Sequence, residues 1–501
     1  MSRLIVLSNR VKLPDSQLAG GLAVGVANAF EHHSGIWLGW NGKIAEKNAF
    51  EPLASDNITH IDFIVTPLTQ LQYQHYYCGF ANNVLWPLLH ERLDLVQAQS
   101  QDYTIYQQVN ALFAKQLASM VSPDDIIWVH DYHFLSVAFY CRQLGMTNRI
   151  GFFLHIPFAA TEFWQSCEHS RSLLAHLTFY DTIGLQTQQD KQQLQQVFQH
   201  FLPNVSFISN NLFDNNAHLT LSVQLPLSTR LLASDAFCAD TVTTMQQPLT
   251  KSQKCGQKFS KKLIIAYNYP IGVDVKAIQR HCYNNSVANQ EQLSKTVRQI
   301  IAVDRIDYSK GIIERLLAFE LFLMQYPEYQ QTIQLLQIAC PSRLDLPTYQ
   351  CLHQQVQQQV QRINTKFEHQ GWQPIKYSES VLPHPQLMTV LANSEICWVN
   401  SLKDGMNLIA KEYIAAQSPK NCGVLMLSKY AGAAEQMQAA IIIDPTNKLN
   451  LVEALKTALN MTLSEKQARY HALLAGLEDY NLYHWQQQFL QDLSQTSARI
   501  A

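Results

Sequence analysis

The sequence predicts an α/β protein of two doubly wound domains, each built on a mostly parallel sheet. Three observations carry that expectation. Short runs that are apolar at nearly every position recur at 4–7, 126–129, 150–154, 182–185, 300–303, 335–339, 396–399 and 424–427. Strands apolar on both faces belong to parallel sheets covered by helices. Helical stretches alternate with these runs: 312–324 is apolar on several faces, and 352–363 is polar but keeps apolar residues at helical intervals, which is the βαβ pattern. Finally, 501 residues and this many parallel strands exceed what one sheet ordinarily holds, so two sheets are expected.

The boundary is placed near 270–294, where Tyr-Pro-Ile-Gly-Val-Asp gives way to a stretch rich in Asn and Gln. The domains are therefore drawn as 1–280 and 281–480. Leu482, Trp485, Phe489, Leu490 and Leu493 follow helical spacing, so 481–501 is read as a last helix packing back on the first domain. The segment Ser209 to Lys262, rich in Ser, Thr, Asn and Gln with weak periodicity, is read as either a long surface excursion or a partly ordered stretch. Gln-rich tracts at 192–196 and 354–359 sit inside helical patterns and are read as solvated faces.

Composition narrows the function. Apolar residues make up 47% and charged ones 15%, with a formal net charge of −2. A well-filled interior is expected, and no basic stripe with interleaved aromatics points to nucleic acid. The ten cysteines include no C-x-x-C pair, which suits reduced thiols. The N-terminus turns polar after four apolar residues, and no apolar run is long enough to span a membrane. The expected address is the cytoplasm, with no membrane partner.

Chemistry concentrates where apolar runs end. The first run leads into Ser8-Asn9-Arg10, then Gly20-Gly21 and a helix beginning near Leu22. Such a turn can place backbone N–H groups around an anion, with Arg10 adding a fork of donors. The alternative is a Gly-Gly turn needed only for close packing. The fingerprint G-x-G-x-x-G is absent there, which argues against a dinucleotide enzyme. After 300–303 comes Asp304-Arg305-Ile306-Asp307-Tyr308-Ser309-Lys310-Gly311. Arg305 and Lys310 at a strand's carboxyl end could hold a diphosphate and neutralise its charge as a leaving group. The alternative is a surface salt-bridge loop with Asp304 and Asp307.

After 396–399 comes Lys403-Asp404-Gly405-Met406-Asn407-Leu408, continuing to Glu412. Asp404 at a helix mouth could accept hydrogen bonds from sugar hydroxyls, with the N–H groups of Met406, Asn407 and Leu408 facing the same space. If the helix spans Asp404 to Glu412, roughly 12 Å separates them, and Glu412 could take ribose hydroxyls. The alternative is an N-cap Asp and a surface Glu. In the first half, Asp131 and His155 follow neighbouring strands, and Trp40, Tyr77 and Trp86 offer rings to a sugar face. His130, His133 and His155 lack the helical zinc context and are read as core or supporting histidines rather than metal ligands.

In register, Leu-Ser-Asn-Arg10, Gly20-Gly-Leu-Ala-Val-Gly25, Val-Leu-Trp86-Pro, His130-Asp-Tyr-His133, His155-Ile-Pro-Phe158, Arg305-Ile-Asp-Tyr-Ser-Lys310-Gly, Asp404-Gly-Met-Asn-Leu408 with Lys411-Glu412-Tyr, and Ala431-Gly-Ala-Ala434 resemble the trehalose-6-phosphate synthase family. These are retaining glycosyltransferases of family 20 with the GT-B fold, in which two Rossmann-like domains face each other across a cleft. The resemblance implies transfer of glucose from a nucleotide-glucose, UDP-glucose favoured, to glucose 6-phosphate. The first domain would bind acceptor and the second nucleotide-sugar. It assigns the acceptor to Arg10, Trp40, Tyr77, Trp86, Asp131 and Arg343. The donor falls to Gly21, His155, Arg305, Lys310, Asp404, Met406, Asn407, Leu408 and Glu412. Asp131, His155, Arg305, Lys310 and Asp404 form the catalytic set. It implies no metal and no cofactor, no enzyme nucleophile, and a separate phosphatase to complete trehalose biosynthesis; homo-oligomerisation is left open. A different phosphorylated acceptor, or a non-catalytic sensor of sugar phosphates, are the competing readings. The chain departs from the family pattern at Ala159-Ala160-Thr161-Glu162, at Leu344, and at Asn400-Ser-Leu-Lys403, where Thr-Pro-Leu-Arg is typical.

Overall fold

A computed structural model describes residues 2–11, 21–30, 34–48, 51–52, 61–208, 219–226, 259–286 and 297–495. It divides into two compact units: residues 1–13, 26–269 and 488–501 form the first, residues 14–25 and 270–487 the second.

The first unit carries strands β1 (Leu4–Arg10), β2 (Gly35–Ile44), β3 (Glu51–Pro52), β4 (Ile61–Leu68), β5 (Ile126–His130), β6 (Arg149–Phe153), β7 (Thr182–Leu185), β8 (Val205–Ile208), β9 (Leu219–Pro226) and β10 (Phe259–Asn268). They form one sheet in the order β3-β4-β2-β1-β5-β6-β7-β10-β9-β8. The run from β4 to β10 is parallel throughout. Ile5, Val6, Leu7, Ile127, Trp128 and Val129 are fully buried, as strands covered on both faces must be.

Of the two readings of Ser209 to Lys262 the partly ordered one holds, because β9 pairs antiparallel with β10 across Leu219↔Ala266 to Pro226↔Phe259, and β8 adds to β9. The strict alternation of Leu219, Leu221, Val223 and Leu225 with polar residues is the period-2 signal of a strand. The parts of that segment at 209–218 and 227–258 lie outside the described residues, as do Gly20 and 287–296. The described sheet is mostly parallel, as expected, and the antiparallel pairings β3–β4, β10–β9 and β9–β8 lie at its margins.

A further element carries no periodicity that separates it from an ordinary helix: Tyr73–Leu85 is a π-helix of 13 residues. It follows a capping box in which Thr69 Oγ1 accepts from the Gln72 N–H while Gln72 Oε1 accepts from the Thr69 N–H. Such i→i+5 helices are rare and concentrate at functional sites. Within the first unit, Phe489 of the last helix, Leu482–Gln495, stacks on Trp128 at 4.9 Å.

The second unit carries β11 (Arg298–Arg305), β12 (Ile333–Cys340), β13 (Ile375–Ser378), β14 (Ile396–Val399), β15 (Val424–Ser428) and β16 (Ile441–Ile443). Their order is β13-β12-β11-β14-β15-β16, and every pairing is parallel. Its core joins Ile300, Ala302, Leu335 and Trp398 of the sheet to Leu316, Phe319 and Phe322 of helix Ile312–Gln325 and Leu451 and Leu455 of helix Lys448–Asn460. Both units are thus α/β domains on mostly parallel sheets.

Candidate active site

In the first unit the functional side chains gather at the carboxyl ends of β1, β5 and β6. The β1–β2 register slips between Ser8 and Arg10, an irregularity that re-aims the strand end. Arg10 lies over the Trp40 ring with its guanidinium carbon 4.4 Å from the centroid. Gly42, at φ +82, passes so close that any side chain there would collide with this guanidinium. Trp40 is fixed by its indole N–H donating to the Lys43 carbonyl at 2.7 Å. Its ring packs on Tyr77 at 5.0 Å, and Tyr77 stacks on His133 at 6.2 Å. The π-helix thus delivers Tyr77 to the Arg10–Trp40 pair, and Trp86, at its end, packs on Tyr132 at 5.5 Å.

His130 of β5 pairs with Phe153 of β6, which brings Asp131 and His155 to adjacent strand ends. The Asp131 N–H donates to the Phe153 carbonyl at 2.8 Å, and Asp131 Oδ1 accepts from the His155 N–H at 3.3 Å. Asp131 holds φ +75, a strained conformation for a residue with a side chain. His130 Nδ1 and His155 Nε2 lie 2.9 Å apart. Burial pushes the His155 imidazole down to about 3 and holds His130 well below its ordinary value, so both rings stay neutral. One ring therefore donates to the other. Among the described residues no group of three or more His, Cys, Asp or Glu is arranged to hold a metal ion.

In the second unit, Lys310 Nζ lies 2.7 Å from Asp404 Oδ2, with both side chains about nine-tenths buried. The same oxygen accepts from Ser401 Oγ at 2.9 Å and Asn407 Nδ2 at 2.9 Å, while Oδ1 accepts from the Gly405 N–H at 3.0 Å. Burial alone would raise the Asp404 carboxyl, but the Lys310 charge and these hydrogen bonds outweigh it and hold it below the usual range. The two loops are stapled at the backbone as well. Leu402 N–H donates to the Ser309 carbonyl at 2.7 Å, and Asn400 Nδ2 donates to the Gly311 carbonyl at 2.8 Å.

The surface salt-bridge alternative for 304–311 does not hold. The side chains of Asp304 and Asp307 are buried and paired elsewhere, with Arg315 and Arg343 respectively, whereas Arg305 is exposed at the end of β11. Arg343, at φ +52, donates from Nη1 to Asp307 Oδ2 at 3.0 Å and Tyr349 Oη at 2.6 Å, so it stands beside the loop that carries Lys310.

The helix reading of 404–412 is corrected. Helix Leu408–Ala416 begins at Leu408 and its N-cap is Asn407, whose side chain accepts from the Ala410 N–H at 3.3 Å. Asp404 precedes it in an isolated bridge to Ala431, so the rise of 1.5 Å per residue does not apply across this stretch. Met406 is buried beside this turn, and Glu412 is buried, with Oε1 3.2 Å from His384 Nε2. Gly21 opens the helix Gly21–Ala29. Sequence reasoning missed Ser401, Arg315 and His384. Ser401 stands where the family pattern has Pro, and that exchange of an imide for a hydroxyl was the one signal available.

The chain is similar to known proteins along nearly its whole length. The family model described as glycosyltransferase family 20 matches residues 7–495. A trehalose-6-phosphate synthase of Sodalis glossinidius is 37% identical over 503 residues, covering 100% of this chain and 97% of the relative. One from Klebsiella pneumoniae is 38% identical over 504 residues, covering 100% and 96%. A solved E. coli structure bound with UDP-2-fluoro glucose superposes with a TM-score of 0.83 at 35% identity, covering 99% of each chain. An alpha,alpha-trehalose-phosphate synthase (UDP-forming) from Burkholderia xenovorans in complex with glucose-6-phosphate gives 0.85 at 34% identity, covering 98% of this chain and 100% of that one. With a family match over nearly its whole length and its cations gathered at strand ends, this chain belongs to glycosyltransferase family 20 and is a glycosyltransferase.

Proposed function

We propose that the protein transfers glucose from a nucleotide-glucose, UDP-glucose favoured, to glucose 6-phosphate, giving trehalose 6-phosphate with retained anomeric configuration. The observation that carries this reading is the Lys310–Asp404 pair at 2.7 Å, stapled between two strand-end loops with Arg305 on the first of them. It combines two cations for a diphosphate with a carboxylate for sugar hydroxyls, and this is the set a leaving nucleoside diphosphate needs. Relatives of similar length named trehalose-6-phosphate synthases, and neighbours bound with UDP-2-fluoro glucose or glucose-6-phosphate, support the substrates.

In this reading Arg305, Lys310 and the Asn407 and Leu408 amides bind the diphosphate, together with Gly21 and Met406. Glu412 takes the ribose, and Asp404 and His155 take the donor sugar. Arg10, Tyr77 and Arg343 bind the acceptor phosphate, and Trp40, Trp86 and Asp131 shape the acceptor sugar's surroundings. The bond from the donor anomeric carbon to the diphosphate oxygen breaks as a bond to the acceptor hydroxyl forms on the same face. The acceptor proton passes to the departing diphosphate, so no enzyme nucleophile is used. Neutral His155 can donate a hydrogen bond without adding charge.

The test is one assay. UDP-, ADP- and GDP-glucose are each incubated with glucose 6-phosphate, and products are read by mass and anomeric configuration. Trehalose 6-phosphate with α,α linkage is expected, fastest from UDP-glucose. No transfer from any of the donors overturns the reading.

A further inference from the structure

Arg315 is fully buried on helix Ile312–Gln325, whose Leu316 and Phe319 join Ala302 of the second sheet in the core. A core position of this kind ordinarily takes an apolar residue. Burying a guanidinium costs several kcal/mol, roughly, and pairing it with a carboxylate seldom returns a net gain. The side chain must therefore do something that packing alone would not.

Its contacts show what. Nη2 donates to Asp304 Oδ2 on β11, Nε and Nη2 donate to Gln337 Oε1 on β12 at 3.1 and 2.9 Å, and Nη1 donates to the Trp398 carbonyl on β14 at 3.1 Å. These are three adjacent central strands, in the order β12-β11-β14. Their carboxyl ends lead to Arg343, to Arg305 and Lys310, and to Ser401 and Asp404. A rigid planar fork with five N–H donors can lock three strands at one depth, whereas a flexible ammonium cannot. Asp304 adjoins Arg305, so its tether sets the backbone from which that cation projects.

We infer that Arg315 is a positioning residue for donor binding: its guanidinium, tied to Asp304, Gln337 and the Trp398 carbonyl, holds the strand ends that present Arg305, Lys310 and Asp404 in register. This rests on the donor role proposed for those residues.

The experiment compares wild type with Arg315→Met, Asp304→Asn, the double variant Arg315→Met/Asp304→Asn, and Arg315→Lys. Melting temperature, UDP affinity by calorimetry, and kcat and KM for UDP-glucose and glucose 6-phosphate are read for each. Either single variant that removes a charge leaves its partner buried and unpaired, and melts well below wild type. The double variant removes both charges and is expected to regain most of that stability. Its UDP affinity and its kcat/KM for UDP-glucose stay about 10- to 100-fold down, because positions near reacting atoms are lost. The KM for glucose 6-phosphate rises less than that for UDP-glucose, because Arg343, which follows tethered β12, keeps its own ties to Asp307 and Tyr349.

Arg315→Lys keeps the charge and loses the fork. It is expected to melt near wild type with UDP affinity reduced by about tenfold, which keeps the test decisive if the double variant does not fold. A double or Lys variant that binds UDP like wild type overturns the inference, as does an equal rise in KM for both substrates. Wild type that binds UDP but transfers no glucose would sink the proposed activity while the affinity comparison still judges Arg315. Wild type that binds no nucleotide would overturn both.

Discussion

Lys310→Met tests the centre of the proposed site. The substitution keeps an unbranched apolar stem and deletes the ammonium that lies 2.7 Å from Asp404 Oδ2. Breaking one side of a buried ion pair costs about 3–5 kcal/mol, since the remaining charge stays buried. Asp404 keeps donors from Ser401, Asn407 and Gly405, so the loss is expected near the lower end, about 3 kcal/mol. For a unit of this size that lowers the melting temperature by roughly 6–12 °C.

The pH dependence gives the sharper test. In wild type the Asp404 carboxyl is held below its ordinary value of 3.8, so its pairing contributes stability that is present above 3.8 and lost as pH falls through the folded value. In the variant, burial is no longer opposed by the ammonium, and the carboxyl rises and protonates sooner. The gap between wild type and variant should therefore be widest at neutral pH, narrow as the solution is acidified towards 3.8, and close through the folded value below it. Calorimetric melts over a pH series measure it, alongside kcat, which should fall by about 10²-fold or more if the ammonium stabilises the leaving diphosphate. A gap that does not change with pH would refute the pairing argument, and wild-type turnover would remove Lys310 from the chemistry.

Three further outcomes are expected. Gly311→Ala should destabilise the second unit by about 1–3 kcal/mol and depress donor turnover, because the residue sits at φ +60 and a Cβ would fall 2.3 Å from the Asn400 carbonyl oxygen; urea unfolding unchanged from wild type contradicts it. Ser401→Ala should lower kcat/KM for the nucleotide-glucose by about 10- to 100-fold with little change in the glucose 6-phosphate KM, the size expected for one hydrogen bond to a charged group. Steady-state kinetics with each substrate varied in turn would show it. His176 is buried and pushed down to about 3 from 6.5, so folding favours its neutral form and its contribution is complete above pH 6.5 and lost as pH falls towards 3. His176→Leu should flatten the acid limb of the stability–pH curve by about 1.4 kcal/mol per pH unit between those values, and an unchanged slope measured by urea unfolding would contradict the burial argument.

Much of this molecule is legible in one dimension because its signals are local. An apolar run such as 300–303 is long enough to be a strand and too apolar to face water, so it declares a parallel core strand without reference to any other residue. Residues that follow such runs stand at carboxyl ends by necessity, which is why Arg305, Asp131 and His155 could be placed at strand ends from sequence order alone. The hairpin of β9 and β10 was legible too, in the alternation from Leu219 to Leu225, but it lay inside a polar composition that masked it.

Sequence by itself determined the class of fold, the order of the loops and the chemical types gathered in them. Only the tertiary structure decided which charge meets which. Asp304 lies next to Arg305 in the chain yet pairs with Arg315, and Asp307 reaches Arg343 rather than Lys310. Asp404 takes Lys310 from another strand's loop and Ser401 from its own, and the π-helix turns Tyr77 onto Trp40. The physical reason is that strand and helix periods are fixed by backbone geometry within a few residues. A charge pair is chosen by distance and desolvation among groups that lie far apart in the chain.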